Sequence, residues 1–144
     1  MQNAFNNIIN ENLMNKSIVF DVGTNLIGIM DTNETVYRHY YGSNRLEAIE
    51  LLENATEIVS FNGKKYDIKE VNKVSIELRE IPFSPKGTHT DILNKCWDYC
   101  FAGSLDKCFK EIIGADVTFP DTHLGSNEKD VYQTLMLWKH LYRS

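Results

Sequence analysis

Long hydrophobic runs are missing from this sequence. No apolar stretch approaches the roughly 20 residues that a helix needs to cross a bilayer, so no membrane span is expected. The first 16 residues are rich in Asn and lack the cationic stretch and long apolar run of a secretory signal. Cysteine is scarce: Cys96, Cys100 and Cys108 are the only three. An odd count with no leader argues against a disulfide framework and suits reduced thiols in a cytoplasmic setting. Cys96 and Cys100 stand at helical i, i+4 spacing, yet no CxxC pair or nearby His completes a zinc set, so buried thiols are expected. Positive charge is in deficit as well, with 15 Lys and Arg against 20 Asp and Glu and a net charge of −5. Proteins that grip duplex nucleic acid by neutralising many phosphates carry a basic excess, so strong non-specific duplex binding is not expected. No internal repeat and no Pro/Gly/Ser-rich linker divides the chain. Residues 1–144 read as one domain, with 1–16 as an N-terminal extension and no indication of oligomeric state.

What is present is ordinary globular material, 42% apolar and 24% charged. Ser17–Val22 and Leu26–Met30 are short apolar runs around Gly23-Thr24-Asn25, which predicts a hairpin. Asp31-Thr32-Asn33 is a second turn, and the β-branched and aromatic run Thr35–Tyr41 a third strand. Ser43 is placed to cap a helix over Asn44–Asn54. Glu57–Phe61 reads as a buried strand ending at Asn62-Gly63, and a helix follows from Lys64 to about Val74. Ile76–Ile81 is read as extended and Pro82–Gly87 as a loop. Ser104 caps a helix whose stripe is Leu105, Cys108, Phe109, Ile112 and Ile113, stopped by Gly114. After a loop over Ala115–Gly125, a last helix is expected from about Asn127 to Tyr142, with Val131, Leu135, Trp138 and Tyr142 buried. Three antiparallel strands, a helix, a further strand and more helices make an α/β domain with helices on both faces of a mixed sheet.

Three aspartates occupy chemically suggestive places: Asp21 near the end of the first strand, Asp67 after the Asn62-Gly63 turn, and Asp130 at the expected opening of the last helix. Acids at a strand end and at two helix starts can converge at one edge of a sheet, where helix N-termini tolerate them. Phe61-Asn62-Gly63-Lys64-Lys65-Tyr66-Asp67 resembles the second motif of the 3′-to-5′ exonucleases with an Asp-Glu-Asp-Asp metal site, in which an Asn is followed four residues later by an aromatic and then the acid. His89-Thr90-Asp91-Ile92-Leu93 is similar to a His-x-Asp strand of the branch near family B polymerase proofreading domains. Gly103-Ser104-Leu105, ending in Ile112-Ile113-Gly114, resembles that branch's Ser-Leu…Leu-Gly helix, and Asp130-Val131 with Thr134 and Leu135 resembles the third motif. The resemblance spans roughly residues 17–142 and implies a ribonuclease H-like fold with three antiparallel strands followed by parallel ones.

What the resemblance implies is phosphodiester hydrolysis at single-stranded DNA or RNA ends with two divalent cations, Mg²⁺ or Mn²⁺. Asp21, Asp67 and Asp130 would be the metal ligands, with Asp91 as a weaker candidate able to replace a lost acid. Asn62, Lys64 and Lys65 would contact substrate. An acidic total suits a site that gathers carboxylates around cations which themselves attract phosphate. Two positions depart from the pattern. The first motif of the family is Asp-x-Glu, and here it reads Asp21-Val22-Gly23. Ser126 stands where the family places a water-orienting Tyr and Gly125 where its other branch places a His, while His123 is out of register. A catalytically degenerate relative that binds nucleic acid or a protein partner is the alternative reading. Asp21-Val22-Gly23-Thr24 followed by Gly28 also resembles the first strand of RuvC-type resolvases, and a hairpin that needs a small residue at position 23 explains Gly23 with no chemistry at all.

Overall fold

The computed structural model describes residues 17–33, 36–100 and 103–142, so the N-terminal extension and the expected first residue of the third strand lie outside the described residues. Strands β1 (Ser17–Gly23) and β2 (Leu26–Asp31) pair antiparallel across the two-residue turn Thr24-Asn25, where Asn25 takes φ 54. Asn tolerates that left-handed conformation because its short amide can bond the local backbone. Strand β3 (Tyr37–Tyr41) pairs antiparallel with β2. Helix α1 (Arg45–Asn54) then crosses the sheet and returns the chain as β4 (Glu57–Ser60), parallel to β1. Helix α2 (Asp67–Arg79) leads to β5 (Thr88–Asp91), parallel to β4. Three helices follow: α3 (Leu93–Trp97), α4 (Leu105–Ile113) and α5 (His123–Tyr142). The strand order is β3-β2-β1-β4-β5, the expected mixed sheet.

The central strands are apolar without interruption because both faces of the sheet are covered, and their period-two alternation divides them between two cores. Ile18, Phe20, Ile27, Ile29 and Ile58 pack with Ala48, Ile49 and Leu52 of α1 and Val71 and Val74 of α2. On the other face Val19, Met30 and Val59 pack with Cys108 and Phe109 of α4 and Val131, Leu135 and Trp138 of α5. Each fully buried Ile or Val contributes about 1.5–3 kcal/mol of transfer free energy. Among the described residues no helix is long and apolar enough to cross a membrane.

Several elements differ from expectation. Ile76–Arg79, expected extended, forms the last turn of α2. Burial of Val71, Val74 and Ser75 and the clasp of Arg79 on Glu53 of α1 carry the helix on to Glu80, which closes it at φ 63. Helix α1 begins after a 3₁₀ turn over Gly42–Asn44, with no side-chain cap from Ser43 recorded there. Ser104 does cap α4, accepting from the Lys107 N–H at 3.3 Å, and Gly114 ends it. Helix α5 starts four residues earlier than expected, because Thr122 caps it by accepting the Gly125 N–H at 2.9 Å. Asp130 therefore sits in the body of α5 and not at its N-terminus, so the helix dipole does not stabilise its charge.

Candidate active site at the acidic edge of the sheet

Asp21 lies on β1 directly opposite Gly28 of β2. The missing side chain at position 28 opens a space over the hairpin, and Asn127 of α5 fills it. A Cβ at position 28 would stand 1.7 Å from Asn127 Oδ1 and 2.8 Å from the Tyr37 ring, so no other residue fits that close approach unless both neighbours move. The Asn127 side-chain amide donates to the Asp21 carbonyl at 3.0 Å and to Asp21 Oδ2 at 3.3 Å. Its own oxygen accepts from the Tyr37 hydroxyl. Asn127 is 2% exposed, so these bonds form away from water, where leaving one unmade is costly. Nothing in the sequence marked Asn127. The one available signal was Gly28, placed across from Asp21 by the hairpin register.

Asp130 is three residues beyond Asn127 and thus on the same side of α5. Its carboxyl lies within hydrogen-bonding reach of that of Asp21. Burial, then the charges of Asp67 and Asp130, hold Asp21 well above the usual carboxylate range. Asp130 is raised by burial and then by Asp106. Asp67, at the first residue of α2, is pushed up to about 7 by burial, then by Asp91 and Asp130. All three keep part of their surface open to solvent. The fold thus brings Asp21 and Asp130 into contact and leaves Asp67 near them.

Asp91 ends β5 and spends both its oxygens on backbone. Its Oδ1 accepts from the Asn62 N–H at 2.7 Å and the Leu93 N–H at 3.1 Å, and its Oδ2 from the Lys64 N–H at 3.2 Å. Asn62, at φ 60, turns the chain so that these N–H groups point at Asp91. The loop held in this way presents Lys64, Lys65 and Tyr66 to solvent, with Lys65 Nζ 5.4 Å from the Tyr66 ring. Beneath it Ser60 Oγ and His89 Nε2 are 2.7 Å apart. Asp91 accordingly serves the loop, and its oxygens are already engaged.

The Gly23 backbone is not left-handed. A Cβ there would meet Leu26 at 3.4 Å and Asn127 Nδ2 at 3.5 Å, both ordinary contacts. The hairpin therefore does not demand glycine at 23, since Asn25 makes the turn. That corrects the purely conformational explanation and places residue 23 on the Asn127 side of β1, as Asp21 is. Gly125 cannot be exchanged so freely: a Cβ would sit 2.0 Å from the Pro120 carbonyl oxygen, which leaves no room for a histidine. Ser126 and His123 are exposed. Glu57, the acid of the inner strand β4, accepts from Ser17 Oγ at 2.6 Å and from the Thr90 hydroxyl at the start of the strand, away from the acidic edge. A resolvase-like arrangement would need that carboxylate at the other end.

Among the described residues no three His, Cys, Asp or Glu side chains are close enough to hold one metal ion. The donor chemistry nevertheless suits a hard divalent cation, being all oxygen, with two carboxyls already in contact and a third repelled by them. A family model described as the RNase H superfamily matches residues 20–134. No curated protein shows a significant match to the sequence. The match takes in β1 through most of α5, including Asp21, Asp67 and Asp130. This chain belongs to the RNase H superfamily.

Proposed function

We propose that this protein is a 3′-to-5′ exonuclease that hydrolyses phosphodiester bonds at the ends of single-stranded DNA or RNA. Asp21, Asp130 and Asp67 would hold Mg²⁺ or Mn²⁺. The observation that carries this reading is the convergence of Asp21, Asp130 and Asp67, far apart in sequence, at one edge of the sheet, with the Asp21 and Asp130 carboxyls in contact. Acids raised above their ordinary range by burial and by one another are common where a protein does chemical work. When bound, a divalent cation supplies an activated water and stabilises the leaving oxygen. The protein's own groups have separable tasks. Asn127 fixes the Asp21 carboxyl, Asp91 holds the Asn62–Lys64 loop, and Lys64 and Lys65 attract the phosphate backbone. Tyr66, 56% exposed beside them, offers a face on which a base can stack, as suits an unpaired strand.

A second reading is favoured by two observations: Gly23 stands where the resembled motif carries Glu, and no complete three-ligand group forms among the described residues. On it the protein binds nucleic acid or a protein partner without cutting. One experiment separates the two. End-labelled single strands of DNA and RNA are incubated with the wild type, Asp21→Asn and Gly23→Glu in Mg²⁺ or Mn²⁺ and resolved on a gel. Shortening from the 3′ end by the wild type, lost in Asp21→Asn, supports the nuclease. An inactive wild type with activity created by Gly23→Glu supports the degenerate reading, and no cleavage by any variant sinks the exonuclease proposal.

A further inference from the structure

We infer that Cys100 and Cys108 are an oxidation site at which a small-molecule disulfide, such as oxidised glutathione, installs a bond linking the end of α3 to α4. All three cysteines gather in the core on the α5 face of the sheet, with Cys96 and Cys108 at 0% and Cys100 at 3% exposure. Cys100 Sγ and Cys108 Sγ are 3.1 Å apart, about 1 Å more than a disulfide bond of roughly 2.05 Å. Cys96 also reaches the Cys108 thiol. It is the poorer partner for either cysteine. Cys96 and Cys100 lie one helical turn apart, with the Cys100 N–H on the Cys96 carbonyl at 2.9 Å. Such a pair holds its Cβ atoms about 5–6 Å apart, too far to bridge. Cys96 lies within α3, whereas Cys100 lies three residues beyond its last residue and has its thiol 3.1 Å from that of Cys108.

Access comes through α3. The helix has only five residues, and the large side chains beside it are turned outward, with Trp97 51% and Tyr99 63% exposed. A helix of little more than one turn has few hydrogen bonds of its own to break, so it opens locally more readily than the longer helices, even though Leu93 and Cys96 anchor it. Burial pushes the Cys96 and Cys108 thiols up to about 12, so attack is slow until that opening occurs. The Cys100 thiolate then attacks one sulfur of oxidised glutathione, breaks its S–S bond and releases one glutathione thiolate. Cys108 gives its proton to solvent, attacks the Cys100 sulfur of the mixed disulfide and expels the second glutathione. Two protein thiols lose two electrons and two protons, and one glutathione disulfide becomes two thiols. The new bond would brace α4, whose Asp106 holds Gln133 at 2.9 Å and Lys129 at 3.0 Å on α5, next to Asp130.

The test incubates the native protein overnight with oxidised glutathione at pH 8, unfolds it in acid, alkylates the remaining thiols and maps peptides by mass spectrometry. The expected result is loss of two hydrogens, a peptide joining Cys100 to Cys108, and alkylation at Cys96 alone. The oxidised protein should melt roughly 5 °C higher, because a short loop is closed in the unfolded chain. Cys96→Ala should still form the bond, while Cys108→Ala should stop at a glutathione adduct on Cys100. Three alkylated cysteines, a persistent adduct in the wild type, or a Cys96–Cys100 link would each overturn the proposal. The wild-type map decides it even if a variant fails to fold.

Discussion

Asn127 carries more of the site than its place in the sequence suggests. It joins a strand carbonyl, a carboxyl and a tyrosine hydroxyl, and it can do so only because Gly28 lacks a side chain. Gly28→Ala should drive the Asn127 amide off Asp21 and cost about 1–3 kcal/mol, the range for overpacking a filled site. Asn127→Ala should cost a similar amount by leaving buried partners unpaired, roughly 1–3 kcal/mol. The two changes share one cause, so the double variant should be clearly more stable than the sum of the single losses predicts. Urea unfolding of the four proteins measures the coupling. Strict additivity would mean that Gly28 and Asn127 do not act on each other.

Between elements, the main electrostatic tie is the Glu53–Arg79 pair joining α1 to α2. Arg79 Nη1 donates to Glu53 Oε1 at 2.7 Å and its Nε to Ser75 Oγ at 2.7 Å, while the Ser84 N–H donates to Glu53 Oε2 at 2.8 Å. The side chains are only 16% and 14% exposed, so water screens the pair less than it screens surface pairs. Hydrogen bonds from Arg79 hold the Glu53 carboxyl below the ordinary glutamate range. A carboxyl with a lowered folded pKa stabilises the protein above its unfolded value, near 4.3, and that contribution fades as pH falls through the folded value. Glu53→Gln should therefore cost about 1–3 kcal/mol at pH 7 and much less near pH 3, read from urea midpoints at the two pH values. An equal loss at both would show that the pair contributes by packing and not by charge. The same clasp explains why Ile76–Arg79 is helical. A β-branched start at Ile76 suggested an extended segment, but local preference yields to a bidentate contact with another helix.

On the scale of the whole molecule, two helical layers hold a sheet whose acidic edge is under electrostatic strain. Asp21, Asp67 and Asp130 each sit above the normal range, first because they are partly buried and second because other acids lie close to them. A cation that binds only the folded state relieves that repulsion and stabilises the protein by mass action. Millimolar Mn²⁺ should raise the melting temperature by several degrees, about 2.7 kcal/mol at a hundredfold excess over the dissociation constant. Asp130→Asn should melt higher than the wild type without metal and respond less when metal is added. Calorimetric scans of both proteins with and without Mn²⁺ provide the measurement, and an unchanged wild-type curve would count against a metal site.

The first four strands, the helices over Arg45–Asn54, Leu105–Ile113 and His123–Tyr142 and the covering of both sheet faces were legible in the sequence, because alternating and helical apolar patterns reflect what the chain must hide from water. The short helix Leu93–Trp97 was not expected, and β5 was suggested only by the family resemblance. The three aspartates could be picked out as candidates as well, since their motif order is a linear property. The start of α5 was not legible, because Thr122 caps it from within a stretch that reads as loop. Nor was the contact between the Asp21 and Asp130 carboxyls, which exists only where residues 109 positions apart meet at one sheet edge. Asn127 and the use of Asp91 as a backbone anchor were hidden for the same reason. A polar side chain takes its role from the partners that remain once water is excluded, and only the folded chain decides which partners those are.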